Sequence, residues 1–205
     1  MAILHVDSGW RGERMNPEDE PTDDALVAAS ALGDKAAFAR LVARHARALT
    51  MLAARITGDR AQAEDVVQET FTRAWIKAPT WRAGPGQGHA PYAAWLTRVA
   101  ANLSIDQRRR VVPLHLDAAP DPADPAPDAS VRLEQSERAA ALRRAVAALA
   151  PRQRAAISLT YDLGLSNIEA ATALQTSVGA LELLLVRARK ALRAALQDEE
   201  AGHDA

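Results

Sequence analysis

From Asp34 onward the apolar positions Phe38, Leu41, Val42, Leu49, Leu52 and Ile56 recur mostly three or four apart, the spacing that gathers side chains on one face of a helix. Asp34 is placed to cap this helix and Gly58 to end it. Ahead of it, residues 23–32 predict a shorter helix stopped near Gly33. Behind it, Asp59 caps a third helix in which Val67, Phe71 and Trp75 step by four and predict a buried stripe; Pro79 stops it. Residues 79–91 read PTWRAGPGQGHAP, and three glycines and three prolines in thirteen residues cannot prolong a helix. Pro91 suits the first turn of a fourth helix, with Tyr92, Trp95, Leu96, Val99 and Leu103 as expected core positions and a basic end at Arg108, Arg109 and Arg110.

The pattern then breaks. Residues 111–130, VVPLHLDAAPDPADPAPDAS, hold five prolines and four aspartates and read as an extended acidic linker, the expected domain boundary. Periodicity resumes with a helix at about 131–149, then one from Pro151 that ends before Gly164. Ser166 with Glu169 three residues on forms a capping box for a short helix to Leu174. Ser177 caps the last helix, with Val178, Leu181, Leu185, Ala188 and Leu192 as its expected buried stripe. A short capped helix, a tight break and a longer capped helix make a helix-turn-helix pattern, although a plain helical hairpin would show the same outline. The fold class expected is all-α, two small helical domains. The domains expected are a disordered tail at 1–22, a first module at 23–110, the linker at 111–130, a second module at 131–197 and an acidic tail at 198–205. Met15 is a candidate start, since nothing before it reads as structural.

Composition agrees with helix over sheet: hydrophobic residues are 48% of the chain, much of it alanine, and aromatics only 4%. With no cysteine there are no disulfides or thiolate metal sites, which fits a reducing cytoplasm. No uncharged run approaches the roughly 18 residues of a membrane span, and the N-terminus has no signal-peptide core. The net charge of −1 conceals segregation. Residues 34–110 carry 13 basic and 6 acidic side chains, and residues 134–196 carry 9 and 5. The segments before, between and after them are net acidic. Two separated cationic modules suit a polyanion, while solvated basic helices would give the same counts. Five scattered histidines, with no HExxH, nucleophile elbow or P-loop, speak against a hydrolase, and no cofactor or metal motif is present.

Specific residues narrow the choice. QAEDVVQETFTRAW at 62–75 resembles region 2.2 of the sigma-70 family, in its extracytoplasmic-function (ECF) group. AWLTRVAANLSIDQRRR at 94–110 is similar to regions 2.3 and 2.4, and LSNIEAATALQTSVGALELLLVRARKALR at 165–193 resembles region 4.2. The resemblance spans about 23–110 and 134–196. It implies a transcription-initiation subunit, not an enzyme, that binds core RNA polymerase, captures the melted −10 element and reads −35 promoter DNA. It further implies a cytoplasmic location without membrane insertion and an anti-sigma factor as a regulatory partner.

Carried onto this chain, the resemblance places Asp65, Gln68 and Glu69 on the polymerase-binding surface. It makes 79–91 the loop that receives a flipped base, where Trp81 and His89 stack or hydrogen-bond; for Trp81, packing against the fourth helix is equally consistent. Arg98, Asn102 and Asp106 step by four along one face and lead into Arg108, Arg109 and Arg110, a set suited to −10 DNA. A helix C-terminus also favours cations for its own reasons. For −35 DNA the candidates are Ser177, Gly179, Ala180, Glu182, Leu183, Arg187, Arg189 and Lys190, with Val186 also outward. Glu182, Leu183 and Leu184 depart from the Lys, Ser and Arg common there, so the alternative is a face turned to a protein partner, or a sigma-like decoy for an anti-sigma factor. Gln175 replaces the glycine common at the turn, which requires either positive φ at a non-glycine residue or another geometry.

Overall fold

The computed structural model describes residues 20–81, 91–110 and 129–203, with side chains at 20–81, 92–109 and 139–197. The expected tail before residue 20, most of the glycine–proline loop including His89, and the linker at 111–128 lie outside the described residues. Eight α-helices and no strand are found among the described residues. They are α1 Asp23–Ala31, α2 Lys35–Thr57, α3 Arg60–Lys77, α4 Pro91–Arg110, α5 Ala129–Ala148, α6 Pro151–Ile157, α7 Asn167–Ala173 and α8 Val178–His203. The last runs into the stretch that the sequence assigned to an acidic tail.

Local chemistry accounts for the ends. The Thr22 side chain accepts from the Ala25 amide, and one carboxylate oxygen of Asp34 accepts from Ala36 and Ala37, meeting the orphan donors of α1 and α2. Gly58 turns left-handed at φ 71° to close α2, and Asp59 accepts from the Gln62 amide to open α3. Ser166 and Glu169 form both hydrogen bonds of the capping box. These bonds hold the Glu169 carboxyl below its ordinary range, the Ser166 hydroxyl contributing most. A π-helical turn, Ser158–Asp162, extends α6. Glu20–Thr22, read from the sequence as tail, are tied down: Arg44 pairs with Glu20 at 2.8 Å and Asp23 at 2.6 Å, and donates to the Pro21 carbonyl. These acids push the Arg44 pKa up.

The first four helices pack around α2, which contacts α1, α3 and α4. Leu41, Leu49, Leu52, Ala53 and Ile56 are its buried side. The stripe on α3 differs from the expectation. Its buried positions are Ala63, Val66, Thr70, Phe71 and Ala74, while Val67 and Trp75 are half-buried. Both lie beside the core rather than at its centre, where Phe38 meets Phe71 and Trp75 edge-on at 6.3 and 5.0 Å. On α4, Tyr92, Leu96, Ala100, Ala101, Ser104 and Ile105 are buried; Trp95, Val99 and Leu103 are half-buried. Alanines at the centre of this face let α2 and α4 approach closely. In the second module, Leu181, Leu185 and Ala188 of α8 are buried as expected, Leu192 is half-buried, and Val178 is 37% exposed, contrary to the expected stripe. Val178 opens the helix at the turn, before it reaches the core.

The two modules touch. α6 packs on α2 and α4, α7 on α4, and the π-helical turn on α2. Buried side chains of α1–α4 and of α6–α8 form one continuous cluster.

Candidate nucleic-acid interface

Asp65, Gln68 and Glu69 are all exposed on one side of α3, opposite its buried positions. Glu69 accepts from Arg73 at 2.8 Å, one turn on. Asp65, Glu69 and Arg73 face Leu103, Asp106 and Gln107 of α4 across a cleft of about 310 Å³. Asp106, which the sequence grouped with DNA-contacting residues, therefore sits beside the acidic residues of α3. Two carboxylates and an amide on α3 with a third carboxylate nearby form an anionic, solvated surface, suited to basic side chains of a protein partner.

Trp81 is half-buried. Its ring meets Tyr92 at 5.2 Å and Trp95 at 5.7 Å, both edge-on, while Tyr92 and Trp95 stack at 6.0 Å. The structure thus shows the core-packing role that the sequence left open for Trp81. Burial, with the Asp23 charge behind it, pushes the Tyr92 phenol up to about 12. His45 lies 2.8 Å from Asp23 and edge-on to Tyr92.

Along α4, Arg98, Asn102 and Arg108 are half-buried, and Asp106 and Arg109 are exposed. The side chain of Arg110 lies outside the described residues. Asn102 is where the modules meet: its Nδ2 donates to Oε1 of Gln175, in the turn between α7 and α8, at 3.4 Å.

That turn has helix-turn-helix geometry. The chain bends by 96° between α7 and α8, inside the range of the motif. Gln175 takes the positive φ, at 50°, and is the only non-glycine to do so among the described residues. The Ser177 hydroxyl accepts from the Ala180 amide and caps α8. Gly179, Ala180, Glu182, Leu183, Val186, Arg187, Arg189 and Lys190 are all exposed, so the outward face is the one the periodicity implies. Arg189 also donates to the Leu185 carbonyl within its own helix. Leu183 and Val186 are 48% and 54% exposed, leaving an apolar strip flanked by cations on the helix that a major groove would receive.

Sequence reasoning passed over Arg154. It is 1% exposed, and its guanidinium donates to the Ile56 carbonyl of α2 at 3.0 Å, to Leu149 at 3.1 Å and to Ala147. Burial, and then the like charge of Arg108, lowers its pKa to about 10, leaving it cationic at neutral pH. An arginine one turn into a helix that begins with proline carries no signal of burial. Only the neighbouring α2 terminus, about a hundred residues earlier, supplies the reason.

Comparison with known proteins agrees with this geometry. Residues 41–111 match the family model of sigma-70 region 2, and residues 139–192 match that of sigma-70 region 4. The chain is 38% identical over 183 residues to ECF RNA polymerase sigma factor SigL of Mycobacterium tuberculosis, covering 85% of this chain and 97% of that one. It is 34% identical over 200 residues to ECF RNA polymerase sigma factor SigE of Mycolicibacterium smegmatis, covering 94% of this chain and 75% of the relative. Among solved structures, CnrH in complex with the cytosolic domain of CnrY superposes with a TM-score of 0.59 at 33% identity, over 86% of this chain and 97% of that one. The sigma factor RpoE bound to the anti-sigma factor NepR, from Bartonella quintana, gives 0.57 at 25% identity, over 78% and 96%. No single helix among the described residues is long and apolar enough to cross a membrane. With helices that pack as the motifs at 62–75, 94–110 and 165–193 anticipate, and with relatives that align over most of its length, the chain belongs to the sigma-70 family of RNA polymerase sigma factors, in its ECF group.

Proposed function

We propose that this protein acts as an ECF sigma factor through two helical surfaces: it binds core RNA polymerase, reads −35 duplex DNA with α8 and captures the melted −10 strand beside α4. The observation that carries this reading is the exposed face Gly179–Lys190 of α8 together with the basic series of α4, half-buried at Arg98, Asn102 and Arg108 and exposed at Arg109, in one chain with an exposed acidic face on α3. Asp65, Gln68 and Glu69 are the polymerase contacts, and Asp106 extends their surface. Arg98, Asn102, Arg108, Arg109 and Arg110 grip the −10 strand, with His89 in the base-capturing loop and Trp81 packed on Tyr92 and Trp95 at its start. Ser177, Gly179, Ala180 and Leu183 approach base edges, Glu182 accepts from a cytosine amino group, and Arg187, Arg189 and Lys190 hold phosphates.

The protein works as a binding factor in the cytoplasm, and the polymerase performs the bond chemistry. Its energetic contribution is selective: it holds unpaired bases that only the melted promoter offers, and so shifts the DNA toward the open state. An anti-sigma factor, the partner that RpoE of Bartonella quintana has in its complex, holds it inactive. Run-off transcription with purified core polymerase tests the reading. A promoter-specific transcript that depends on this protein is expected; polymerase that ignores it on every bacterial promoter tried would refute it.

A further inference from the structure

Glu182, Leu183 and Val186 stand together on the exposed face of α8. Leu183 and Val186 are 48% and 54% exposed, although the helix already supplies the core with Leu181, Leu185 and Ala188. Glu182 has no hydrogen bond or ion pair among the described residues. The positions three and four away from it are Val178, Gly179, Leu185 and Val186, so its own helix offers no cation to pair with. Arg187 and Lys190, one turn beyond Leu183 and Val186, are exposed and have no ion-pair partner among the described residues.

The helix is also bare where it begins. Gly179 lies one turn before Glu182 and Leu183, and a Cβ there would meet nothing within 4 Å, so internal packing does not call for a glycine. Its lack of a side chain lets another body approach the backbone closely. Side chains as short as Leu183 and Val186 reach a base edge only with such an approach.

We infer that α8 reads the −35 element through thymine methyl groups, one against Leu183 and one against Val186 at neighbouring base pairs. The inference rests on the reading of α8 as the −35 helix and adds what that helix selects. Three residues rise about 4.5 Å along a helix, and successive base pairs are about 3.4 Å apart, so the two side chains meet adjoining pairs. Thymine alone among the bases presents a methyl group to the major groove. Any other edge pressed against Leu183 or Val186 loses water from its polar atoms and gains no partner. The Glu182 carboxylate beside them repels the acceptor atoms of guanine and accepts from the amino group of cytosine. Arg187 and Lys190, beyond the apolar pair, suit the phosphates that flank such a site, which favours DNA over an apolar protein partner as the occupant.

Uracil pairs as thymine does and lacks only the methyl group, so the contact can be removed without changing the pairing. Holoenzyme assembled from core polymerase and the full-length protein first selects templates from a pool of duplexes randomised over the −35 and −10 segments. Two neighbouring thymine pairs should be enriched at −35. The selected template is then synthesised with deoxyuridine in place of thymidine in the −35 segment alone. Run-off transcript at limiting holoenzyme should fall about tenfold. Leu183→Ala combined with Val186→Ala alters two exposed side chains and should leave the melting curve close to that of the parent. That variant should transcribe the thymine and uracil templates equally, at the parent's uracil level. An enriched −35 element without thymine would overturn the inference. So would equal transcript from the parent on both templates, as expected if a protein covers this strip, or a double variant that still favours thymine. A pool enriched at −10 alone would instead strike the reading of α8 as the −35 helix.

Discussion

Arg154 and Ile56 belong to different modules, yet a guanidinium nitrogen of the first donates to the carbonyl oxygen of the second at 3.0 Å. Nearly a hundred residues separate them in the chain, and the contact exists only because α6 lies against the end of α2. Arg154→Met keeps much of the volume and removes the charge and donors. The Ile56, Ala147 and Leu149 carbonyls then lose a partner, while the desolvation of the cation is relieved. The losses outweigh the gain, because the Ile56 and Leu149 carbonyls stay buried and the Ala147 carbonyl part-buried. Urea unfolding should show a loss of about 2 kcal/mol.

Gln175 carries a conformational penalty for its place in the turn, since its φ of 50° crowds a Cβ against the backbone. Gln175→Gly removes that strain and gives back part of it through a freer unfolded chain. A net stabilisation of about 0.5–1 kcal/mol is expected in thermal melts. A loss instead would show that the long bond to Asn102 matters more than the strain.

Tyr92 is 1% exposed, and its hydroxyl has no partner among the described residues. Its phenol is held neutral up to about 12, above the ordinary value of 10.0. The folded state thus holds this proton more tightly than the unfolded chain. The advantage is complete below pH 10 and is lost as pH rises through 12. Tyr92→Phe should leave stability at pH 7 unchanged or raise it by up to about 1 kcal/mol, because an unsatisfied hydroxyl disappears. In an ultraviolet absorbance titration of tyrosinate, the native protein should show a late-titrating component that Tyr92→Phe lacks.

Asp65 and Glu69 are exposed. Asp65→Lys with Glu69→Lys should therefore leave the melting curve nearly unchanged, losing only the surface pair with Arg73. Affinity for core polymerase should fall about tenfold or more, because two attractive charges become repulsive. Equilibrium titration with labelled polymerase checks it, and unchanged affinity would remove these residues from the interface.

The periodicity from Asp34 to Leu192, the caps at Asp34, Asp59, Ser166 and Ser177, and the outward face of α8 were legible in the sequence. Each depends on residues within one or two turns of one another, and short-range geometry is the same in any fold. The sigma-like motifs at 62–75 and 94–110 were legible for the same reason. What escaped was decided by contacts between elements. Val67 and Val66 are chemically identical neighbours, and only the approach of α2 and α4 selects Val66 for the interior. Trp81 was balanced between base capture and packing until Tyr92 and Trp95 were placed beside it. Asp106 reads as part of an α4 series, but the neighbouring helix gives it the company of Asp65 and Glu69. The burial of Arg154 and the meeting of Asn102 with Gln175 depend on how two helical modules dock. The sequence determined the helices and their faces, because hydrogen bonding and side-chain spacing are local; tertiary structure alone decided which faces meet, because docking is a sum of weak contacts between residues far apart in the chain.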